Sequence, residues 1–155
     1  MSAAASRAWS LPLEVRDYEC DLQGIVNNAV YQQYLEHARH QFLKRHGFSF
    51  AELIKAGINL VMTRAELDYK SPLRSGDRFV VETRLERTSP VRFTFLQEIH
   101  RDADHRRTLA LKATVVCAAM NQEGRPILPK VLEPMFAACE SPVRPSPPDR
   151  SKAAR

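Results

Sequence analysis

From residue 61 to residue 119 the apolar positions of this chain recur at every second residue. Val61, Thr63, Ala65, Leu67 and Tyr69 alternate with Met62, Arg64, Glu66, Asp68 and Lys70. Phe79, Val81, Thr83 and Leu85 do the same with Arg78, Glu82, Arg84 and Glu86, and Val91, Phe93, Phe95, Gln97 and Ile99 continue the pattern. Leu109, Leu111, Ala113, Val115, Cys117 and Ala119 complete it. A period of two puts one face of each run in a core and the other in water, which is the signature of half-buried strands. The breaks are turn chemistry: Pro72 and Gly76 within 71–77, Thr88-Ser89-Pro90, the polar run 101–106, and 121–124. Three long runs in hairpin succession require an antiparallel sheet.

A sheet with one apolar face needs a cover, and the sequence offers one candidate. Tyr31, Tyr34, Leu35, Ala38 and Phe42 fall within about 100 degrees of arc at 3.6 residues per turn, while Gln33, Glu36, His37, His40 and Lys44 take the other side. Asn27 or Asn28 is suited to the N-cap and Gly47 to the residue past the C-cap, so a helix is expected over 29–46. Ser49 and Glu52 form a capping box for a second, short helix ending at Gly57. Upstream, Leu11, Leu13 and Val15 alternate with Pro12, Glu14 and Arg16 as a first strand. The prolines at 126, 129 and 134 leave room for one or two short turns around 131–136. The expected architecture is therefore α+β, a five-stranded antiparallel sheet wrapped around one long helix. Residues 1–9 are expected to be a flexible arm, 10–138 one domain, and 139–155, rich in proline and charge, a disordered tail.

Composition narrows the function classes. The 155 residues suffice for one core, and no apolar run approaches the roughly 20 residues that span a bilayer. The first ten residues lack the apolar stretch of a secretory signal. Cys20, Cys117 and Cys139 form neither a C-x-x-C pair nor an even disulfide framework, which points to a reducing cytoplasm and away from a metal. Of the formal charge of +5, the segment from Ser141 onward supplies +3, from Arg144, Arg150, Lys152 and Arg155 against Asp149. The remainder is only mildly basic and has no Lys/Arg cluster with interleaved aromatics, so nucleic acid is not the expected partner.

The chemistry is expected where the first strand gives way to the long helix. Asp21 sits in a polar loop followed by Gly24 and the Asn27-Asn28 pair, and then the helix begins. A helix N-terminus presents backbone N–H groups with no partner of their own, which favours developing negative charge. Asp21 also suits a plain solvated or capping acid, and the two asparagines suit simple caps. Gly24 fits either a close backbone approach to a ligand or an ordinary turn. Glu36 and Arg39, at i and i+3, read as an ion pair or as members of a site. Cys20 has no histidine in its loop to activate it. His37, His40 and His46 mimic a metal comb without an acid or thiol to complete it.

The stretch Asp21-Leu-Gln-Gly-Ile-Val-Asn-Asn-Ala-Val-Tyr31, with Tyr34-Leu-Glu-His-Ala-Arg39 and Tyr69-Lys-Ser-Pro-Leu-Arg-Ser-Gly-Asp77, resembles the hotdog-fold thioesterases of the 4-hydroxybenzoyl-CoA thioesterase type. The likeness covers 11–136 and is closest to the small plant-type acyl thioesterases acting on acyl carrier protein or CoA esters, and to their bacterial relatives. It implies a hotdog fold and hydrolysis of an acyl-CoA or acyl-carrier-protein thioester without cofactor or metal. It further implies a homo-oligomer, a dimer or a dimer of dimers. By the resemblance Asp21 carries the hydrolysis, the Asn28 backbone N–H holds the thioester oxygen, and Glu36 ranks second among the acids. Gly24, Asn27, Tyr31, Tyr34, Arg39 and Arg74 are expected at the substrate, with Lys70 and Arg78 as further contacts for CoA phosphates. Some carrier-protein thioesterases place Asn and His two and four positions after the acid; here stand Gln23 and Ile25. An imidazole base in this loop is thus ruled out, and Asp21 acts as nucleophile or as the base that activates water. A hotdog hydratase, which needs an acid and a histidine together, and a non-catalytic acyl-thioester sensor, which would carry a further domain, are the competing expectations.

Overall fold

The computed structural model describes residues 8–127 and 130–140. One sheet contains β1 (Trp9–Glu14), β2 (Asn59–Tyr69), β3 (Arg78–Arg87), β4 (Arg92–Ala103), β5 (Arg106–Met120) and the two-residue β6 (Pro126–Ile127). The order is β1-β3-β4-β5-β2, every pairing is antiparallel, and β6 extends the sheet beside the end of β5. Strands β3, β4 and β5 follow as hairpins, whereas β1 and β2 occupy opposite edges. The chain must therefore cross the sheet between them. Helix α1 (Asn28–Arg45) makes that crossing, followed by α2 (Phe50–Lys55).

The face that α1 buries is the one its periodicity marks. Tyr31, Tyr34, Leu35 and Ala38 pack with Phe79, Val81, Ile99 and Leu111 in one core. Phe42 and Leu43 pack with Phe93, Phe95, Val115, Leu132 and Phe136 in a second. Ser49 caps α2 as expected, its Oγ accepting the Glu52 N–H, and Gly57 ends it at φ +73°.

The period-two reading needs correction at two β-bulges, each of which adds one residue to a strand and reverses the faces on one side of it. In β2 the register slips between Met62 and Arg64, so Leu60, Met62, Ala65, Leu67 and Tyr69 stand opposite the inward Ala119, Cys117, Val115, Ala113 and Leu111. Val61 and Thr63 are therefore not inward. In β5 Ala110 is the extra residue, and Leu109 stands opposite His100 instead of joining the inward row. The bulge is used: the Ala110 carbonyl accepts the N–H groups of Lys70 at 2.8 Å and Ser71 at 3.2 Å.

Other boundaries shift as well. Trp9 belongs to β1 and packs edge-on against Phe42 at 6.2 Å, so the strand begins within the expected arm. The β4–β5 turn is only Asp104 and His105, both at positive φ, and the polar residues on either side remain paired in the strands. Where short turns are expected near 131–136, a 3₁₀ turn (Lys130–Leu132) leads into an eight-residue helix, α3 (Glu133–Glu140), with Pro134 in its first turn where no N–H is required. Among the described residues no helix is long and apolar enough to cross a membrane. The tail expected from 139 lies mostly outside the described residues.

Candidate active site

Val15 ends the first strand by exchanging backbone hydrogen bonds with the 76–77 turn. A 3₁₀ turn (Asp17–Glu19) follows, and Cys20 then bridges to Val26. Between them the loop closes on itself. Asp21 N–H donates to the Ile25 carbonyl at 2.8 Å, and Gly24 N–H donates to the Asp21 carbonyl at 3.0 Å. Gly24 has φ +75°, and a Cβ built there would meet nothing within 4 Å, so glycine is set by the turn and not by a close neighbour. Asp21 is exposed; its Oδ1 accepts the Gln23 N–H at 2.8 Å.

The loop is fastened from below by Glu19, whose short-range sequence context marks it neither as core nor as site. Glu19 is buried, and its Oε2 accepts both the Tyr34 hydroxyl at 2.6 Å and the Arg16 N–H at 2.8 Å. Its carbonyl accepts the Asn27 N–H at 2.9 Å. One side chain and its own backbone thus tie together the loop, the helix cap and the body of α1. A buried carboxylate two positions before Asp21 gave no periodic signal, because its burial depends on Tyr34, 15 residues away.

Asn27 is the N-cap of α1, its Oδ1 accepting the Ala29 N–H at 3.0 Å, and Asn28 is the first helical residue. The Asn28 N–H has no acceptor among the described residues, as expected of a first-turn amide. Its carbonyl accepts the Tyr69 hydroxyl at 3.0 Å, which pins the start of α1 to the end of β2. A cleft of about 330 Å³ opens here. Asp21, Ile25 and Asn28 form one wall, Tyr31 and Tyr69 another, and Lys70, Ser71 and Pro72 the third. Tyr31 and Tyr69 meet edge-to-face at 5.5 Å. The third wall rests on the Ala110 bulge, with Ser71 Oγ donating to the Leu109 carbonyl at 2.8 Å.

Tyr31 is no proton carrier near neutrality: burial raises its phenol above the ordinary value, against a smaller opposing effect from the Leu73 N–H that its oxygen accepts at 3.1 Å. Tyr34 is raised further, by burial first and by its bond to Glu19 second. It faces a separate cavity with Arg16, Tyr18, Gln33 and His37 on the far side of the loop.

The other expected site residues do not converge on the cleft. Glu36, about 12 Å along the helix from Asn28 at 1.5 Å per residue, is exposed and pairs with His40 at 3.8 Å in place of Arg39. Arg39 turns inward to Gln97, donating to its Oε1 at 3.0 Å. Arg74 is exposed on the turn before β3, where its N–H donates to Asp77, and Arg78 approaches Glu14 at 4.0 Å. The histidines are dispersed, His46 against the Phe42 carbonyl at 2.8 Å and His40 against Phe50 at 4.7 Å. Glu82, Glu98 and His100 come together on the outward side of β3 and β4, where Arg107 pairs with Glu82 at 2.8 Å. Tyr69, Ser71 and Pro72, which belong to the 69–77 motif but are given no role by it, join Lys70, expected at the CoA phosphates, as half of the cleft.

The profile of the thioesterase-like superfamily matches residues 15–149, taking in the loop, α1, β2 and the whole hairpin succession. The chain belongs to that superfamily. Within it, the chain is 47% identical over 83 residues to the chloroplastic acyl-acyl carrier protein thioesterase ATL3 of Arabidopsis thaliana, covering 54% of this chain and 44% of the relative. It is 30% identical over 112 residues to the putative acyl-CoA thioesterase YneP of Bacillus subtilis, covering 72% and 79%. The chain spans about half the length of the plant relatives it matches. In fold it superposes on Slr0204, a 1,4-dihydroxy-2-naphthoyl-CoA thioesterase from Synechocystis, with a TM-score of 0.79 over 87% of this chain and 99% of that one, at 21% identity. This thioesterase-like chain thus has the hotdog fold, an antiparallel sheet around one long helix.

Proposed function

We propose that the protein hydrolyses an acyl thioester of CoA or acyl carrier protein to a free acid and a thiol. The observation that carries the proposal is the pairing, in one cleft, of an exposed carboxylate with a helix-first amide that has no acceptor among the described residues. A thioester carbonyl needs those two things: a group that attacks or activates water, and a donor for the oxygen that becomes negative. Asp21 fills the first role. Its Oδ1 is held by Gln23, which leaves the second oxygen for the substrate or a water. Asn28 N–H, with the dipole of an 18-residue helix behind it, fills the second. Lys70 at the cleft and the exposed Arg74 nearby in sequence suit the phosphates of CoA or an acidic carrier protein.

Nucleophilic attack by Asp21 and activation of water by Asp21 differ in one observable. In a single turnover in ¹⁸O-water, label in the Asp21 carboxylate identifies attack, through a mixed anhydride that water opens at its aspartyl carbonyl, whereas base catalysis never labels Asp21. The assignment itself is tested by thiol release from a panel of acyl-CoA and acyl-carrier-protein substrates. Asp21→Asn keeps the oxygen that Gln23 binds, so it should retain the melting temperature and lose at least about 10³-fold in kcat. Full activity in that variant would remove Asp21 from the mechanism.

We further propose a homodimer, able to pair again into a tetramer. Strand β2 is a sheet edge, and two of its inward residues, Met62 and Tyr69, are half exposed at 50% and 51% where the inward residues of β3 to β5 are buried. A second copy covering that edge is the economical remedy, and light scattering reads the mass directly. A cytoplasmic setting agrees with Cys20 and Cys117 as free thiols.

A further inference from the structure

Like charges directly opposite each other in a sheet are unfavourable, and β3 and β4 set two of them face to face. Glu82 and Glu98 are partners in the register, on the side of the sheet away from α1. His100, two residues beyond Glu98, projects from the same side. Its Nε2 lies 2.9 Å from Glu98 Oε2 and 3.9 Å from Glu82 Oε2. One donor atom from each of the three residues falls within 4.8 Å of the other two. All three residues are partly buried, so water screens the two carboxylates from each other only in part.

The neighbours do not cancel this charge. Lys112 stands opposite Glu98 on β5, yet among the described residues it makes no ion pair, and Glu98 meets His100 instead. Arg107 does reach the group: its Nη1 donates to Glu82 Oε1 at 2.8 Å, and its Nε lies 3.5 Å from Asp102 Oδ1. It engages Oε1 of Glu82 and leaves Oε2, the oxygen near His100, without a hydrogen-bond donor among the described residues. Within ion-pair distance, then, three carboxylates stand against one guanidinium. With a neutral imidazole the group is anionic by two charges, which a single divalent cation balances.

We infer that Glu82, Glu98 and His100 form a binding site for one divalent transition-metal ion, and that zinc is the ion the donor set suits best. Tetrahedral zinc, with bonds of roughly 2.0–2.2 Å to nitrogen and oxygen, holds its ligand atoms about 3.3 Å apart. The two imidazole–carboxylate separations, 2.9 and 3.9 Å, lie on either side of that value. An imidazole among the donors favours zinc, cobalt or nickel over magnesium and calcium, which take shells of oxygen. Arg107, bonded to the other oxygen of Glu82, fixes the orientation of that carboxylate as outer hydrogen-bonding groups do around metal ligands. An ion held here ties β3 to β4 on the side of the sheet away from α1, so its role is structural and hydrolysis has no part in it.

The test uses the full-length protein, stripped with a chelator and titrated with zinc chloride alone by calorimetry. One zinc per chain should bind with a Kd in the micromolar range or tighter, and saturating zinc should raise the melting temperature by several degrees. In Glu98→Gln and His100→Asn the Kd should weaken at least about 100-fold and the thermal shift should disappear. Glu98→Gln also removes the like-charge contact, so without metal it should melt no earlier than the wild type, and its loss of binding is not a loss of fold. Cobalt in place of zinc reads the geometry: the visible absorption of a four-coordinate site should appear in the wild type and be absent from both variants. No binding of zinc or cobalt to the wild type would overturn the inference. Equal affinity in the wild type and both variants would overturn it as well, by placing the ion on other side chains. Thiol release enters none of these readings, so they stand or fall apart from the thioesterase assignment.

Discussion

The two ends of α1 are built on opposite plans. At the C-terminal end every device for closing a helix is in use. His46 N–H donates to the Phe42 and Leu43 carbonyls, Gly47 N–H to Lys44, and Phe48 N–H to Leu43, with Lys44 and Arg45 in the last turn to balance the dipole. The N-terminal end is held just as firmly in position, by Asn27, Glu19 and Tyr69, yet it has no acid in its first turn and leaves the Asn28 N–H without an acceptor among the described residues. A helix end that is rigid but electrostatically incomplete is ready for an acceptor from outside the chain. Substitutions at the two ends should therefore separate: the open end changes chemistry, the closed end changes stability.

The sharpest way to break the contrast is Asn28→Pro. Proline is favoured at the first helical position because no intrahelical bond is lost there, and Asn27, at φ −57° and ψ 136°, already has the extended geometry that a following proline requires. The variant should fold with little change in melting temperature and lose about 10²–10³-fold in kcat, the usual effect of deleting one oxyanion donor. Asn28→Ala, which keeps the N–H, is the control. Equal loss in both variants would mean that the side chain and not the amide matters.

Next in size is the clamp beneath the loop. Glu19→Ala strands the buried Tyr34 hydroxyl and the Arg16 N–H, which should lower stability by about 2–3 kcal/mol. Denaturant unfolding gives the number. Because Glu19 also sets the position of Asp21 and of the helix cap, kcat should fall with it. An intact kcat at full loss of stability would show that the loop holds its shape without the clamp.

How much of this was legible in the sequence follows the range of the forces involved. The long helix, its caps at Asn27 and Gly47, and the antiparallel hairpins are written in short-range patterns and are found where expected. The bulges at Thr63 and Ala110 are pairing errors tolerated between strands, so no single strand's periodicity records them; half of the cleft wall depends on the second. Asp21 and Asn28 were legible as an acid before a helix start, and the resemblance gave them roles. Glu19, Tyr69 and Gln97 were not, because each acquires its partner through the packing of elements 14 or more residues apart. Glu36 and Arg39 show the converse: the i, i+3 spacing suggests an ion pair, but Glu36 instead meets His40 while the sheet draws Arg39 to Gln97.

The smallest expected effect belongs to the closed end. Gly47 has φ +84°, and a Cβ placed there would touch nothing within 4 Å, so Gly47→Ala creates no clash and the cost is that of holding an L-residue in the left-handed region. Part of it is offset because alanine has less freedom to lose on folding than glycine. About 1 kcal/mol of stability should be lost, a shift of a few degrees in the melting temperature for a chain of this size. The Gly47 bond to Lys44 serves only the end of the helix, and Asn28 lies about 28 Å away at 1.5 Å per residue. Thiol release per folded molecule should therefore match the wild type. A drop in kcat comparable to that of Asn28→Pro would mean that the two ends of α1 are coupled and that the active-site amide is tuned by the whole helix and not by its first turn.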